Sequence, residues 1–386
     1  MEIITLKYYL IAGEASGDLH GAELMKALLQ CDSEASFRMW GGDKMAAVGG
    51  TLVRDYREAA VMGLVEVIRK AGTVRRNLEL CKADIESWKP DAVILIDYPG
   101  FNLRIAEFAH GRGFKVFYYI APKVWATRER RVRKLRKYVD RLFVIFPFEP
   151  NYFRRHGIEA FYGGNPLADM IAADKSADES AAGFLERNGL DSKPYVALLP
   201  GSRRMEVSHT MPVFVKVAQM MASRMPDYQF VIAAADSIED SVYDSYLSGS
   251  SIKVVRGQTR SVLRHASAAV VDSGTASLEA ALLNVPQVVV YHMNPLSFLM
   301  VRILLKTDYV SLANIIMDKP VFDELLQENF TPRKVYSSLE KLLTDEAYRS
   351  AMLADYSELK TRLESGNSCA RTAQEMVSAL KASFAE

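Results

Sequence analysis

The sequence predicts two doubly wound α/β domains facing each other across a cleft at the carboxyl ends of their sheets. Three observations carry this. Short β-branched and aromatic runs alternate with helical patterns, as βα units of a parallel sheet do. The alternation occurs twice, on either side of a polar, Ala-rich stretch at 169–192 that ends in Lys193 and Pro194, as a linker plus short helix would. The 386 residues, 49% apolar and 25% charged, suffice for two cores.

In the first half the expected strands are 8–12, 37–40, 92–96, 115–120, 141–146 and 161–162, each an apolar or aromatic run flanked by turn or helical patterns. In the second half they are 195–199, 229–233, 252–255, 268–271 and 287–291. This places the first domain at 1–170, a linker at 171–192 and the second domain at 193–344. After Pro332 the pattern is helical, and Gly366 with Asn367 breaks two final helices. The final segment 345–386 is expected to pack back on the first domain or on a dimer partner.

A net charge of +1 argues against a polyanion binder as a whole, so local clusters must carry any such role. Cys31, Cys81 and Cys369 are far apart and odd in number, which points to free thiols in a reducing compartment. The six His show no ligand spacing and no Asp-x-Asp occurs, so no metal and no cofactor is expected. Glu2 precedes only a short apolar run, unlike a signal peptide. No run of about 18 apolar residues exists to span a bilayer.

Ligands of doubly wound sheets bind in the turns after the strands. The first such turn holds Gly13, Glu14, Ser16, Gly17 and Asp18, where two Gly permit close backbone approach, without GxGxxG spacing. Strand 92–96 runs into Asp97, Tyr98, Pro99, Gly100, Phe101 and Asn102. A carboxylate there suits a general base or a helix cap, since burial raises its pKa toward working pH. Strand 195–199 ends in Pro200, Gly201, Ser202 and Arg203, a turn suited to clamping phosphate oxygens. Strand 268–271 breaks at Ser273, Gly274 and Thr275 into a helix carrying Glu279. That turn reads either as an anion cradle at a helix start or as an ordinary turn capped by Ser273. No Lys follows the Gly, so it is not a nucleotide-hydrolysing P-loop. Together the two turns suit a diphosphate, with Glu279 free to accept from a ribose.

These residues, in this order, resemble the lipid A disaccharide synthases, glycosyltransferases with two Rossmann-like domains of the GT-B type. The resemblance runs nearly end to end. It rests on Ala12 to Asp18; on Val61, Met62, Gly63, Leu64, Glu66 and Val67; on Ile96, Asp97, Pro99, Phe101 and Asn102; and on Pro122, Val124, Trp125 and Ala126. The second half adds 198–203, 273–279, 306–312 and Asn314. The resemblance implies transfer of 2,3-diacylglucosamine from UDP-2,3-diacylglucosamine to 2,3-diacylglucosamine 1-phosphate (lipid X), with inversion and without a metal. It also implies Asp97 as base, Arg203 at the diphosphate or active site, Glu279 and Asn314 near the nucleotide, and Ser273 to Thr275 at the phosphates.

Three positions depart from the family. Asn165 stands where a His is common, Thr127 where a second Trp is, and Gly100 where an acid often follows the Pro. Asn165 can hydrogen-bond but cannot shuttle a proton. Amphiphilic substrates imply a peripheral protein on the cytoplasmic face of the inner membrane. Met62, Leu64, Val65, Val67 and Ile68, or the apolar run 298–305, suit acyl chains or lipid, and core packing explains the same spacing. The run Arg128, Arg130, Arg131, Arg133, Lys134, Arg136 and Lys137 suits anionic headgroups or the acceptor phosphate, against a solvated helix face. A UDP-N-acetylglucosamine 2-epimerase would share the architecture but needs more acid and base groups around the sugar. A noncatalytic nucleotide-sugar binder would need no base. A nucleic-acid protein lacks stacking aromatics in the basic run.

Overall fold

The computed structural model describes residues 5–59, 67–126, 129–174, 178–292, 308–363 and 366–384. The chain divides into two compact units, Met1–Pro166 with Ser365–Glu386, and Leu167–Glu364. Each is built on one parallel sheet.

In the first unit the strands are β1 (Lys7–Ala12), β2 (Ser36–Gly41), β3 (Thr51–Asp55), β4 (Ala92–Ile96), β5 (Lys115–Tyr119), β6 (Arg141–Val144) and β7 (Ala160–Tyr162). They lie in the order β3-β2-β1-β4-β5-β6-β7. Strand order reverses between β1 and β4, where Ile11 stands opposite both Trp40 and Leu95. Alternate side chains feed two apolar layers. Tyr8, Leu10 and Ala12 pack with Leu24, Met25 and Leu28 of the helix Ala15–Cys31. Tyr9 and Ile11 pack with Leu78, Ile85 and Leu95 on the other face.

The second unit contains β8 (Tyr195–Leu199), β9 (Gln229–Ala234), β10 (Lys253–Arg256), β11 (Ala268–Asp272), β12 (Gln287–Tyr291) and β13 (Glu324–Leu326). Their order is β10-β9-β8-β11-β12-β13, with the reversal between β8 and β11. The first six strands of the first sheet follow the same winding. Both sheets are therefore doubly wound, and each has one switch point where two neighbouring strands send their following helices to opposite faces.

Three features differ from the sequence expectation. Strands β3 and β13 are edge strands. Neither is a continuous buried run, and burial on both faces is what makes a strand legible. The stretch expected as a linker plus short helix does hold the helix Ala181–Arg187, but its Phe184 is fully buried and stacks on Tyr195 at 6.2 Å. That segment thus belongs to the second core.

The third difference concerns the C-terminus, which divides between the units. The helix Glu346–Arg362 stays with the second unit, its Tyr356 fully buried and its hydroxyl accepting from Gln287. The helix Ser368–Ser383 instead adds Ala373, Met376, Val377 and Leu380 to the first core. Gly163 makes room for it, because a Cβ there would lie 2.6 Å from Thr372 Oγ1.

Candidate active site

The turn after β4 sits at the first switch point. Asp97 and Tyr98 both take left-handed backbone angles, with φ of 41° and 47°, and Pro99 then starts the helix Pro99–Gly111. Two consecutive non-glycine residues in that region cost of order 1–2 kcal/mol each, so the surroundings must hold them. They do. The Asp97 carbonyl accepts from Asn102 Nδ2 at 2.8 Å and from the Tyr118 hydroxyl at 2.6 Å, and its N–H donates to Tyr119. Asn102 is fully buried and also donates to the carbonyls of Ile11 and Ile96, tying β1 to β4. Its place is beneath the turn. Gly13 completes the arrangement, since a Cβ would lie 2.3 Å from the Tyr98 ring.

The carboxyl of Asp97 is raised to about 6, first by burial and then by Glu14, with Lys123, the Tyr98 amide and Arg131 acting in the opposite direction. This is a proton acceptor poised near neutrality.

In the turn after β1, Glu14 is exposed and accepts from Ser16 Oγ at 2.8 Å. Gly17 lies in the helix, where a Cβ would meet Ala12 at 3.1 Å. Asp18 is buried and wholly engaged. Its Oδ1 accepts from the N–H groups of Gly42 and Met45, and its Oδ2 from that of Lys44, which caps the helix Asp43–Val48. Asp18→Ala leaves those donors without an acceptor and is expected to lower stability by about 2 kcal/mol in denaturant unfolding. An unchanged midpoint would contradict that role. His20, one turn on, is a largely buried imidazole pushed down to about 4 by burial.

The exit of β6 holds a carboxylate that the sequence reading passed over. Glu149 is fully buried and pushed up to about 7 by that burial, although three donors oppose the rise. These are Trp125 Nε1 at 3.0 Å and the N–H groups of Ile145 and Phe146. Asn165 is buried and donates to the Ile145 carbonyl at 2.9 Å, so it braces the same exit.

In the second unit, Gly201 has φ of 103°, and a Cβ there would lie 2.8 Å from Glu206 Oε2 and 3.0 Å from Asp272 Oδ2. Two carboxylates thus converge over this turn. The N–H groups of Ser202 and Arg203 both donate to Glu206 Oε2. The turn after β8 therefore offers an external anion the Arg203 guanidinium, 73% exposed and 2.6 Å from Glu206 Oε1, in place of its backbone donors.

At the turn after β11 the ordinary reading of Ser273 as a cap fails. The N-cap of the helix Thr275–Leu282 is Gly274, with no side-chain cap, and the Ser273 N–H donates to Val290. Gly274 and Thr275 are exposed at the uncapped start, where the dipole favours an anion. β11 runs one residue past the expected end, to Asp272, which is buried and pushed up to about 8 by burial and by Glu206. Glu279 is half-buried, is raised by burial, and accepts from Arg260 Nε at 3.3 Å.

Asn314 departs from the nucleotide-lining role expected of it. It is buried, donates to Phe322 and Glu324, and accepts from the Val321 N–H, so its amide is spent on bracing the chain beside β13. His209 and His292 stack at 4.7 Å, with His292 pushed down by burial and by His209. Neither was singled out from the sequence, and no spacing signal marks them.

The basic run separates into faces. Lys134 is ion-paired to Glu107 at 2.8 Å and Lys137 lies over the Tyr138 ring, so neither matches the headgroup reading. Arg130, Arg133 and Arg136 have no carboxylate within 4.0 Å among the described residues. Met62, Leu64, Val65, Thr127, Arg128 and the run 298–305 lie outside the described residues, as do the side chains of Val67 and Ile68. Among the described residues, no group of three His, Cys, Asp or Glu could hold a metal ion, and no helix is long and apolar enough to cross a membrane.

Solved structures share the fold of this chain. The UDP co-structure of MnaA from S. aureus superposes with a TM-score of 0.70 at 14% identity, covering 98% of this chain and 97% of that one. The calicheamicin glycosyltransferase CalG4 gives 0.59 at 16% identity, with 98% of each chain covered. At these identities the likeness is one of fold. In sequence, the lipid-A-disaccharide synthase of Geobacter metallireducens is 37% identical over 94% of each chain. That of Coxiella burnetii is 35% identical over 95% of this chain and 96% of its own. The family description of lipid-A-disaccharide synthetase matches residues 8–378, and the chain belongs to that family of glycosyltransferases.

Proposed function

We propose that this enzyme transfers 2,3-diacylglucosamine from UDP-2,3-diacylglucosamine to the 6-hydroxyl of 2,3-diacylglucosamine 1-phosphate, with inversion and without a metal ion. The products are the β-1,6-linked disaccharide 1-phosphate and UDP. The observation that carries the assignment of residues is Asp97, a half-buried carboxyl raised to about 6 on a braced turn at a sheet switch point. Asp97 accepts the proton of the acceptor hydroxyl as that oxygen attacks the anomeric carbon. A single displacement by one base inverts the centre.

The bond from the anomeric carbon to the β-phosphate oxygen breaks as the new one forms, and negative charge gathers on the diphosphate. The exposed Arg203 guanidinium and the uncapped helix start at Gly274 and Thr275 stabilise that charge, the part a cation plays elsewhere. Glu279, steadied by Arg260, accepts hydrogen bonds from the ribose hydroxyls. The enzyme works as a peripheral protein on the cytoplasmic face of the inner membrane, where both amphiphiles reside.

The test is incubation of the protein with UDP-2,3-diacylglucosamine and the monosaccharide 1-phosphate in neutral detergent micelles containing EDTA, read by mass spectrometry. Disaccharide 1-phosphate and UDP in equal amounts are expected. Absence of product, or product only after a divalent cation is restored, overturns the reading or its metal-independent form respectively.

A further inference from the structure

A second concave site lies on the first unit. A cavity of about 300 Å³ is lined by Glu129, Arg130, Val132, Arg133, Arg136 and His156. Its construction follows from helical spacing. Residues 130, 133 and 136 recur every three positions along the short helical stretch Glu129–Arg131 and the helix Val132–Tyr138, so their side chains share one face. Val132 and Leu135 are buried against the core. Lys134 faces elsewhere, toward Glu107.

Three guanidinium groups thus meet in one hollow with a single carboxylate, Glu129, which lies 3.4 Å from His156 Nε2. The Tyr152 ring lies against His156 at 4.8 Å, and its buried hydroxyl has no partner. Three guanidinium charges stand against one carboxylate, which leaves a net surplus of positive charge in the hollow. Arginine's planar fork is the side chain best matched to phosphate oxygens.

We infer that the hollow formed by Arg130, Arg133, Arg136 and His156 binds the phosphate headgroup of a bilayer lipid. This rests on the transferase reading, which brings the protein to a membrane surface. Val132 is the only apolar residue of the lining among the described residues, so the groups that select a ligand there are the charged heads of its neighbours. The volume is at the small end for ligand pockets and fits a headgroup. The cations that act on Asp97 are Lys123 and Arg131, neither of which lines the hollow. A phosphate held there is bound by residues other than those two. It serves to hold the first unit against the bilayer.

The test is co-sedimentation of the full chain with vesicles of phosphatidylcholine, with and without phosphatidylglycerol. Binding to the anionic vesicles is expected. The triple variant Arg130→Gln, Arg133→Gln, Arg136→Gln keeps the aliphatic stems and should bind them ~100-fold more weakly, from roughly fivefold per base. Lys134→Gln, which removes a charge of the same run from its ion pair with Glu107, should stay within about twofold of wild type. A loss of about fivefold in Lys134→Gln, the same per charge as in the triple variant, would mean diffuse charge and overturn the pocket. A raised acceptor KM for the triple variant in neutral micelles, with vesicle binding intact, would assign the hollow to the acceptor's 1-phosphate and overturn the bilayer assignment. Wild-type protein that makes disaccharide in micelles yet ignores anionic vesicles sinks this inference alone. Failure to make disaccharide in micelles sinks the transferase reading, whatever the vesicles show.

Discussion

Asp97→Asn is expected to lower kcat by roughly 10²–10⁴-fold, the range general-base catalysis contributes. The substitution keeps shape and leaves the backbone bonds of the turn in place, because Asn102 and Tyr118 reach the carbonyl and not the carboxyl of residue 97. The pH profile distinguishes a base from a structural residue. A base must be unprotonated, and this one is raised to about 6, so wild-type kcat/KM should climb about tenfold per pH unit below 6 and level off above it. The variant's residual rate should show no such limb. An Asp97→Asn enzyme with near-normal turnover, or one that keeps the acid limb, would remove Asp97 from the proton transfer.

The features legible from sequence share one property, which is that burial imposes a pattern. The central strands Ala92–Ile96, Tyr195–Leu199 and Ala268–Asp272 are covered on both faces, so every residue is apolar until the last, and the turns that follow could be read in order. Thr51–Asp55 and Glu324–Leu326 lie at sheet edges, where half-exposed positions admit charge, and their runs do not stand out from loops. The short helix expected in the linker is Ala181–Arg187, but its place in the second core was not legible, since one buried aromatic in a polar, Ala-rich segment marks no core face.

At the sites, residue type was legible and partnership was not. Asp18 and Asp97 both follow a strand and both look like turn acids, yet one is consumed by three N–H groups and the other is raised to about 6 by burial and by Glu14. Ser202 and Arg203 promised backbone donors that Glu206, only a few residues on, already occupies. Asn314 sits in a family motif, but its amide braces its own unit. Such assignments depend on which atoms converge in space, and a linear pattern holds no record of that. Glu149 is the clearest instance, because its partner Trp125 lies on a different loop.

Asp272 carries the second large effect, through pH. Its carboxyl is pushed from 3.8 up to about 8 by burial and by Glu206, against the opposing pull of the Ser273 amide and Arg203. Between those two values the native state holds a proton that the unfolded chain releases. Stability therefore falls as pH rises across the window, by roughly 5 kcal/mol at full expression. Asp272→Asn abolishes that slope. Its unfolding free energy should exceed that of wild type increasingly as pH rises from about 4, with the largest gap above about 8, in denaturant titrations at several pH values.

The same proton bears on the nucleotide. A diphosphate placed at Gly274 and Thr275 adds negative charge beside a carboxyl that Glu206 already disfavours ionising, so Asp272 meets the ligand as a neutral donor. UDP affinity in titration calorimetry should then hold steady just below about pH 8 and weaken by up to tenfold per unit above it, with proton uptake on binding. In the Asn variant that alkaline decline disappears. A wild-type affinity that stays flat well above pH 8 would mean that the diphosphate does not approach Asp272, and would move it away from the switch point of the second sheet.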